Sequence, residues 1–334
     1  MADSQHEVWQ RAAVVAVEDV AAGIRRVVLR PDQPCPVRPG EHVDVRVLVH
    51  GEQQVRSYSV VDADDDGAQL AVSVFRTPTS RGGSIFMHGL EPGQVLEITQ
   101  PLQNFPLRVG APSYVLLAGG IGITAIAGMA ALLRRLGADY RLVYVARSRA
   151  AMAYLDDLRA LHGERLEAHV DDEGGSLDVP ALVAGVPEGA ELYMCGPIRL
   201  MDAVRRAWAE RGLDPTGLRY ETFGNSGWFE AEPFVVRVPR LGAETVVGPD
   251  ESLLEALERE GLDMMSDCRK GECGLCQVKV LGLAGRIDHR DVFYSDRQKQ
   301  TGMSMCCCVS RVVSAAPAAD PGERPAAVLT IDVP

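Results

Sequence analysis

Cys268, Cys273 and Cys276 lie in CRKGECGLC, residues 268–276, spaced C-x4-C-x2-C. This is the plant-type spacing for a 2Fe–2S cluster, completed by a fourth cysteine well downstream. Three thiolates share one short loop, and Gly271 and Gly274 let backbone N–H groups turn toward sulfide. The chemistry is transfer of single electrons. Zinc ribbons more often use two short C-x2-C pairs, and a redox dithiol needs no third cysteine upstream. Downstream the chain offers an adjacent trio, Cys306, Cys307 and Cys308. The common plant-type interval selects Cys306. In a strand 306 and 308 would share a face while 307 points away.

Upstream, four segments suit anions and flat rings. RSYS (56–59) offers an arginine for a phosphate and a tyrosine and serine for a ring. SRGGS (80–84) combines two glycines with a flanking arginine and serine, so backbone N–H groups can approach an anion at the start of a helix over 84–89. AGGIGIT (118–124) follows an apolar strand and opens a helix, where Gly119, Gly120 and Gly122 admit a pyrophosphate. It is not the G-x-G-x-x-G fingerprint. CGP (195–197) ends another apolar strand, at the sheet edge where α/β proteins bind ligands. Cys195 equally suits a buried small hydrophobe.

The elements that must position these residues fall into three groups. Residues 8–107 read as short strands broken at Pro39-Gly40, Asp66-Gly67 and Pro92-Gly93. Val43, Val45, Val47 and Val49 alternate with other residues, as do Leu70, Val72 and Val74, which predicts half-buried strands in a small antiparallel barrel. YVLLA (114–118), LVYVA (142–146) and ELYMC (191–195) are continuous apolar runs, with helical stretches at 124–136, 151–162 and 198–211. Apolar strands alternating with helices predict a parallel sheet. Residues 225–233 read as a linker. FVVRV then opens a third unit, with a capping box at Ser252 and Glu255, the cysteine loop, a low-complexity stretch over 314–327 and a last strand VLTIDV. The expected boundaries are 1–110, 111–224, a linker at 225–233, and 234–334.

The 334 residues carry a formal net charge of −12, which argues against nucleic acid as a partner and suits docking to a basic protein surface. No segment has the apolar length to span a bilayer, and MADSQHEVWQ lacks a signal-peptide h-region. Eight cysteines without an export signal point to the cytoplasm and metal ligation.

The order RSYS, SRGGS, GGIGIT, CGP and cysteine loop resembles the phthalate dioxygenase reductase family, the FMN-containing reductases of Rieske oxygenase systems. NFPL (104–107), YETF (220–223), HRD (289–291) and CVSR (308–311) extend the resemblance over nearly the whole chain. It implies an antiparallel β-barrel flavin domain, an α/β NAD domain and a C-terminal plant-type ferredoxin domain of β-grasp form. By position, Arg56, Tyr58 and Ser59 would hold the flavin ring and phosphate, and Arg81, Gly82, Gly83 and Ser84 would complete the phosphate site. Gly120, Gly122 and Thr124 would face the dinucleotide. Cys195, Gly196 and Pro197 would border the nicotinamide, and Phe223 would approach the flavin. The family's register from HRD to CVSR selects Cys308 as fourth ligand, because the hairpin LGLAGR (281–286) is longer than the family's. One departure is Ala125, where the family has proline after GGIGIT.

The implied function is electron transfer from NADH through FMN and a 2Fe–2S cluster to a terminal Rieske oxygenase or demethylase. No side chain need act as a general acid or base. Arg147 and Arg149 could read the 2′-phosphate of NADPH, whereas Asp171 and Asp172 oppose it, and the resemblance favours NADH. The alternatives are a cytochrome P450 as acceptor, or a non-catalytic iron–sulfur redox sensor.

Overall fold

The computed structural model describes residues 7–49, 51–77, 80–224, 226–315 and 326–333. Most of the low-complexity stretch lies outside the described residues, as does Asn225. The chain divides into two compact units. One runs to Gly196 and resumes over Ala203–Glu221, and the other is formed by Pro197–Asp202 and the chain from Thr222 onward. The expected flavin domain and most of the expected nucleotide domain fall in the first, while Pro197–Asp202 and Thr222–Gly224 fall in the second.

The first unit opens with β1 (Trp9–Ala21), β2 (Ile24–Pro31), β3 (Glu41–Val49), β4 (Glu52–Ala63), β5 (Leu70–Phe75), α1 (Gly83–His88), β6 (Val95–Thr99) and β7 (Leu102–Gln103). The strands pair antiparallel in the order β4-β5-β2-β1-β6-β3-β7, and β4 pairs back onto β3 to close a barrel. Val43, Val45, Val47 and Val49 all point into its core, as their alternation predicts. On β5 the alternation misleads: Ala71 and Ser73 are buried as well as Leu70, Val72 and Val74. The Ser73 hydroxyl meets the Tyr154 phenol at 2.5 Å, so this face is covered rather than solvated.

A parallel sheet follows, built from β8 (Tyr114–Gly119), α2 (Ile123–Arg135), β9 (Tyr140–Ala146), α3 (Leu155–His162), β10 (Leu166–Val170), α4 (Val179–Ala184), β11 (Glu191–Cys195), α5 (Ile198–Glu210) and β12 (Leu218–Glu221). Its order is β10-β9-β8-β11-β12, with every pair parallel. The chain steps outward from β8 to β10, then returns to the other side of β8. That reversal opens a crevice at the carboxyl ends of β8 and β11. The helix expected over 151–162 begins only at Leu155, because Tyr154 is left-handed at φ 62°. Its bond to Ser73 accompanies this costly conformation.

The second unit contains β13 (Phe234–Val238), β14 (Ala243–Val247), α6 (Leu253–Arg259), β15 (Gln277–Ala284), β16 (Arg286–Asp288), α7 (Asp296–Thr301), β17 (Ser304–Cys306), β18 (Arg311–Val313) and β19 (Ala327–Asp332). The main sheet runs β14-β13-β19-β15-β17, with β13 and β19 parallel, and β16 pairs with β18. The Ser252–Glu255 capping box opens α6, whose Leu253, Leu254 and Leu257 join the core with Phe234, Leu329 and Ile331. This is the β-grasp arrangement. Segment 226–229, read as linker, is clamped: Trp228 donates its N–H to Asp288 at 2.9 Å, and Arg290 donates to the Phe229 carbonyl at 3.1 Å. Asp288 and Arg290 are themselves paired at 2.7 Å and buried. Among the described residues, no helix is long and apolar enough to cross a membrane.

Candidate functional site

RSYS lies on β4, where Arg56 stands opposite Val45, Tyr58 opposite Val43 and Ser59 opposite His42. Tyr58 packs on the barrel core, and burial pushes its phenol well above the usual range, against the opposing pull of Arg56. Arg56 donates to the Arg81 carbonyl at 3.2 Å, which joins the RSYS strand to SRGGS. The backbone at Gly83 approaches so closely that an added Cβ would lie 2.8 Å from Arg56 Cγ. Ser84 donates to Ser80 at 2.7 Å, and Gly82 caps α1. One guanidinium, two hydroxyls and the amides that open α1 make a donor set suited to a phosphate dianion.

The two crevice motifs also meet. Parallel pairing places Ala118 of β8 beside Cys195 of β11. A Cβ on Gly122 would lie 2.2 Å from the Cys195 carbonyl oxygen, so only glycine lets these segments close on each other. Gly120, at φ +56°, has no atom within 4 Å of where a Cβ would stand. Thr124 is buried and donates its hydroxyl to Ile121 at 3.0 Å, so it fixes the turn. Cys195 is fully buried, and Gly196 leads to Pro197, whose carbonyl accepts the first bonds of α5. Phe223, half-buried, comes two residues after β12. At the end of β9 Arg149 makes a two-pronged pair with Glu173, at 2.9 and 2.5 Å. The sequence reading missed that partner. Arg149 is thus paired with the carboxylate that follows Asp171 and Asp172 in the chain.

In the cysteine loop, Cys268 Sγ accepts N–H bonds from Lys270, Glu272 and Cys273 at 3.5, 3.4 and 3.4 Å. Amide donors turned toward sulfur are the setting in which an iron–sulfur cluster is held. Arg269, Gly271 and Gly274 all have positive φ, which produces this inward turn. Cys276 Sγ lies 3.1 Å from Cys308 Sγ. The Cys276 thiol is held far below its usual range by hydrogen bonds from Cys306, Cys307 and Cys308, which rise in turn. Cys308 also accepts from the Gly271 amide, whereas Cys306 feels Asp291. The trio does not form one strand. β17 ends at Cys306, and its carbonyl accepts the N–H groups of Val309 and Ser310, so strand alternation does not govern 306–308. The β15–β19 pairing carries a register shift between Val280 and Gly282, at the start of LGLAGR. Half-buried Cys268 and Cys273 with buried Cys276 and Cys308, on a loop whose amides turn toward sulfur, fit a 2Fe–2S cluster. Glu272 is raised by burial, against the pull of the Thr222 amide and of Lys270.

A closed antiparallel barrel, a parallel α/β sheet and a β-grasp unit bearing the cysteine loop together define a flavin and iron–sulfur electron-transfer oxidoreductase. Residues 11–106 match the oxidoreductase FAD-binding domain profile, and residues 236–313 match the 2Fe-2S iron-sulfur cluster binding domain. The phenoxybenzoate dioxygenase subunit beta of Ectopseudomonas oleovorans is 39% identical over 84% of this chain and 86% of its own. The structure of phthalate dioxygenase reductase aligns with TM-score 0.71 at 30% identity, covering 97% of this chain and 98% of that one. An intact type IV self-sufficient cytochrome P450 monooxygenase aligns with TM-score 0.64 at 33% identity; it covers 98% of this chain, which spans 41% of that enzyme. The chain belongs to the phthalate dioxygenase reductase family. It is an NADH-dependent oxidoreductase with FMN and a 2Fe–2S cluster, and its electron acceptor is an oxygenase.

Proposed function

We propose that this chain is the reductase component of a Rieske-type oxygenase or demethylase system and works in the cytoplasm. A flavin held here would supply the conversion of a two-electron hydride into single-electron steps, and a plant-type cluster, at about −400 mV, would supply the one-electron carrier. Arg56, Arg81 and the Gly82–Ser84 backbone hold the flavin phosphate, while Tyr58 and Ser59 border its ring. Gly120 and Gly122 receive the dinucleotide, with Thr124 fixing their turn. Cys195 and Gly196, leading into Pro197, border the nicotinamide. Cys268, Cys273, Cys276 and Cys308 ligate the cluster.

The observation that carries this reading is the cysteine loop, whose amides converge on Cys268 while Cys276 and Cys308 approach to 3.1 Å. Such a site hands over one electron at a time and needs an acceptor protein. A cytochrome P450 acceptor is the second reading, supported by the alignment of 98% of this chain within a self-sufficient P450. Reconstitution separates the two. With NADH, the protein is expected to support substrate turnover by a purified Rieske oxygenase. Turnover by a P450 alone would overturn the assignment.

A further inference from the structure

Glu272 sits inside the cysteine loop, directly before Cys273. A carboxylate beside an anionic cluster is electrostatically unfavourable, so its presence calls for a compensating role. Its Oε1 accepts the N–H of Thr222 at 2.8 Å. Thr222 is 3% exposed and accepts the Gly224 N–H on its own hydroxyl at 3.0 Å. A Cβ added to Gly224 would lie 2.9 Å from Val309 and 3.4 Å from Lys270 Cα. Residues 222–224 therefore form a strap against the loop and against the residue after Cys308. Thr222 is also the first residue after β12, and the strap carries Phe223.

We propose that Glu272 is a positioning residue: its carboxylate ties the cluster loop to the strap Thr222–Gly224 and holds the loop in the geometry through which electrons enter the cluster. This rests on the reading of residues 268–276 as the cluster loop. It assigns Glu272 no part in hydride transfer and no ligand bond.

The test uses the full-length protein with flavin and cluster, comparing Glu272→Ala, Glu272→Asp and Glu272→Gln. Stopped-flow absorbance follows NADH-driven flavin bleaching and then cluster reduction; iron content, EPR of the dithionite-reduced protein and deuterium exchange at the Thr222 amide are measured alongside. Glu272→Ala and Glu272→Asp should keep the cluster's EPR signal and the wild-type bleaching rate. They should slow cluster reduction about tenfold, the scale of a small misplacement, and speed exchange at Thr222. Glu272→Gln, which keeps an acceptor oxygen, should stay within about twofold of wild type. If Glu272→Ala does not assemble a cluster, Glu272→Asp decides. Cluster reduction at the wild-type rate in the deciding variant would overturn the proposal, as would loss of the cluster in all three. If NADH fails to reduce the wild-type cluster, the electron-transfer reading itself fails.

Discussion

At the scale of single residues, the cysteines carry the sharpest prediction. Cys308→Ser should lose the cluster, by iron content and EPR, and Cys306→Ser should keep it. Cys308 Sγ stands 3.1 Å from Cys276 Sγ and Cys306 closes β17 near Asp291, so exchanging each thiol in turn reads the assignment directly. The reverse pattern would transfer the role to Cys306. Gly122→Ala should leave flavin content intact yet raise KM for NADH by about 10- to 100-fold, since a Cβ 2.2 Å from the Cys195 carbonyl must push the crevice apart. Glu173→Ala should free Arg149 and raise kcat/KM for NADPH by about tenfold, the value of one charge-assisted contact, with NADH little changed. An unchanged preference would place nucleotide selection elsewhere. The spacing of Cys268, Cys273 and Cys276 was legible from sequence because ligand intervals are local. The partners of Arg149 and Glu272 were not, since residues 24 and 50 positions away supply them.

Among the elements, long apolar runs announced themselves and short pieces did not. YVLLA, LVYVA and ELYMC became β8, β9 and β11, because strands buried on both faces read as unbroken apolar stretches. β12 is an edge strand whose Leu218, Arg219 and Tyr220 are only half-buried, so it shows no period. α4 spans six residues, too few to display a helical repeat. Segment 226–229 read as a linker from composition, yet Asp288 and Arg290 clamp it. Arg290→Ala leaves the buried Asp288 without its pair and should destabilise the second unit by about 3–5 kcal/mol in chemical unfolding. Asp291 supplies a pH test. Burial pushes its carboxyl up, but the bond from His289, the nearby Lys299 and the Tyr294 amide prevail and hold it below the ordinary range. A depressed folded-state value stabilises the fold above the unfolded pKa, about 3.9, and that stability is lost as pH falls below it. Asp291→Asn should lower stability at pH 7 and flatten this acid dependence. A variant with the same acid slope as wild type would assign acid sensitivity to other carboxylates.

For the whole molecule, the order of motifs was more informative than any one of them. RSYS and SRGGS are weak separately, but the barrel brings Arg56 onto the Arg81 carbonyl; GGIGIT and CGP are weak separately, but parallel pairing brings Gly122 onto Cys195. Neither meeting is local in sequence, so each depends on the closed sheet or the strand reversal that produces it. The most direct test of the relay is an anaerobic titration of the purified protein with NADH, followed by visible and EPR spectroscopy. The relay predicts bleaching of the flavin band together with the EPR signal of a reduced 2Fe–2S cluster. Flavin bleaching without a cluster signal would contradict it.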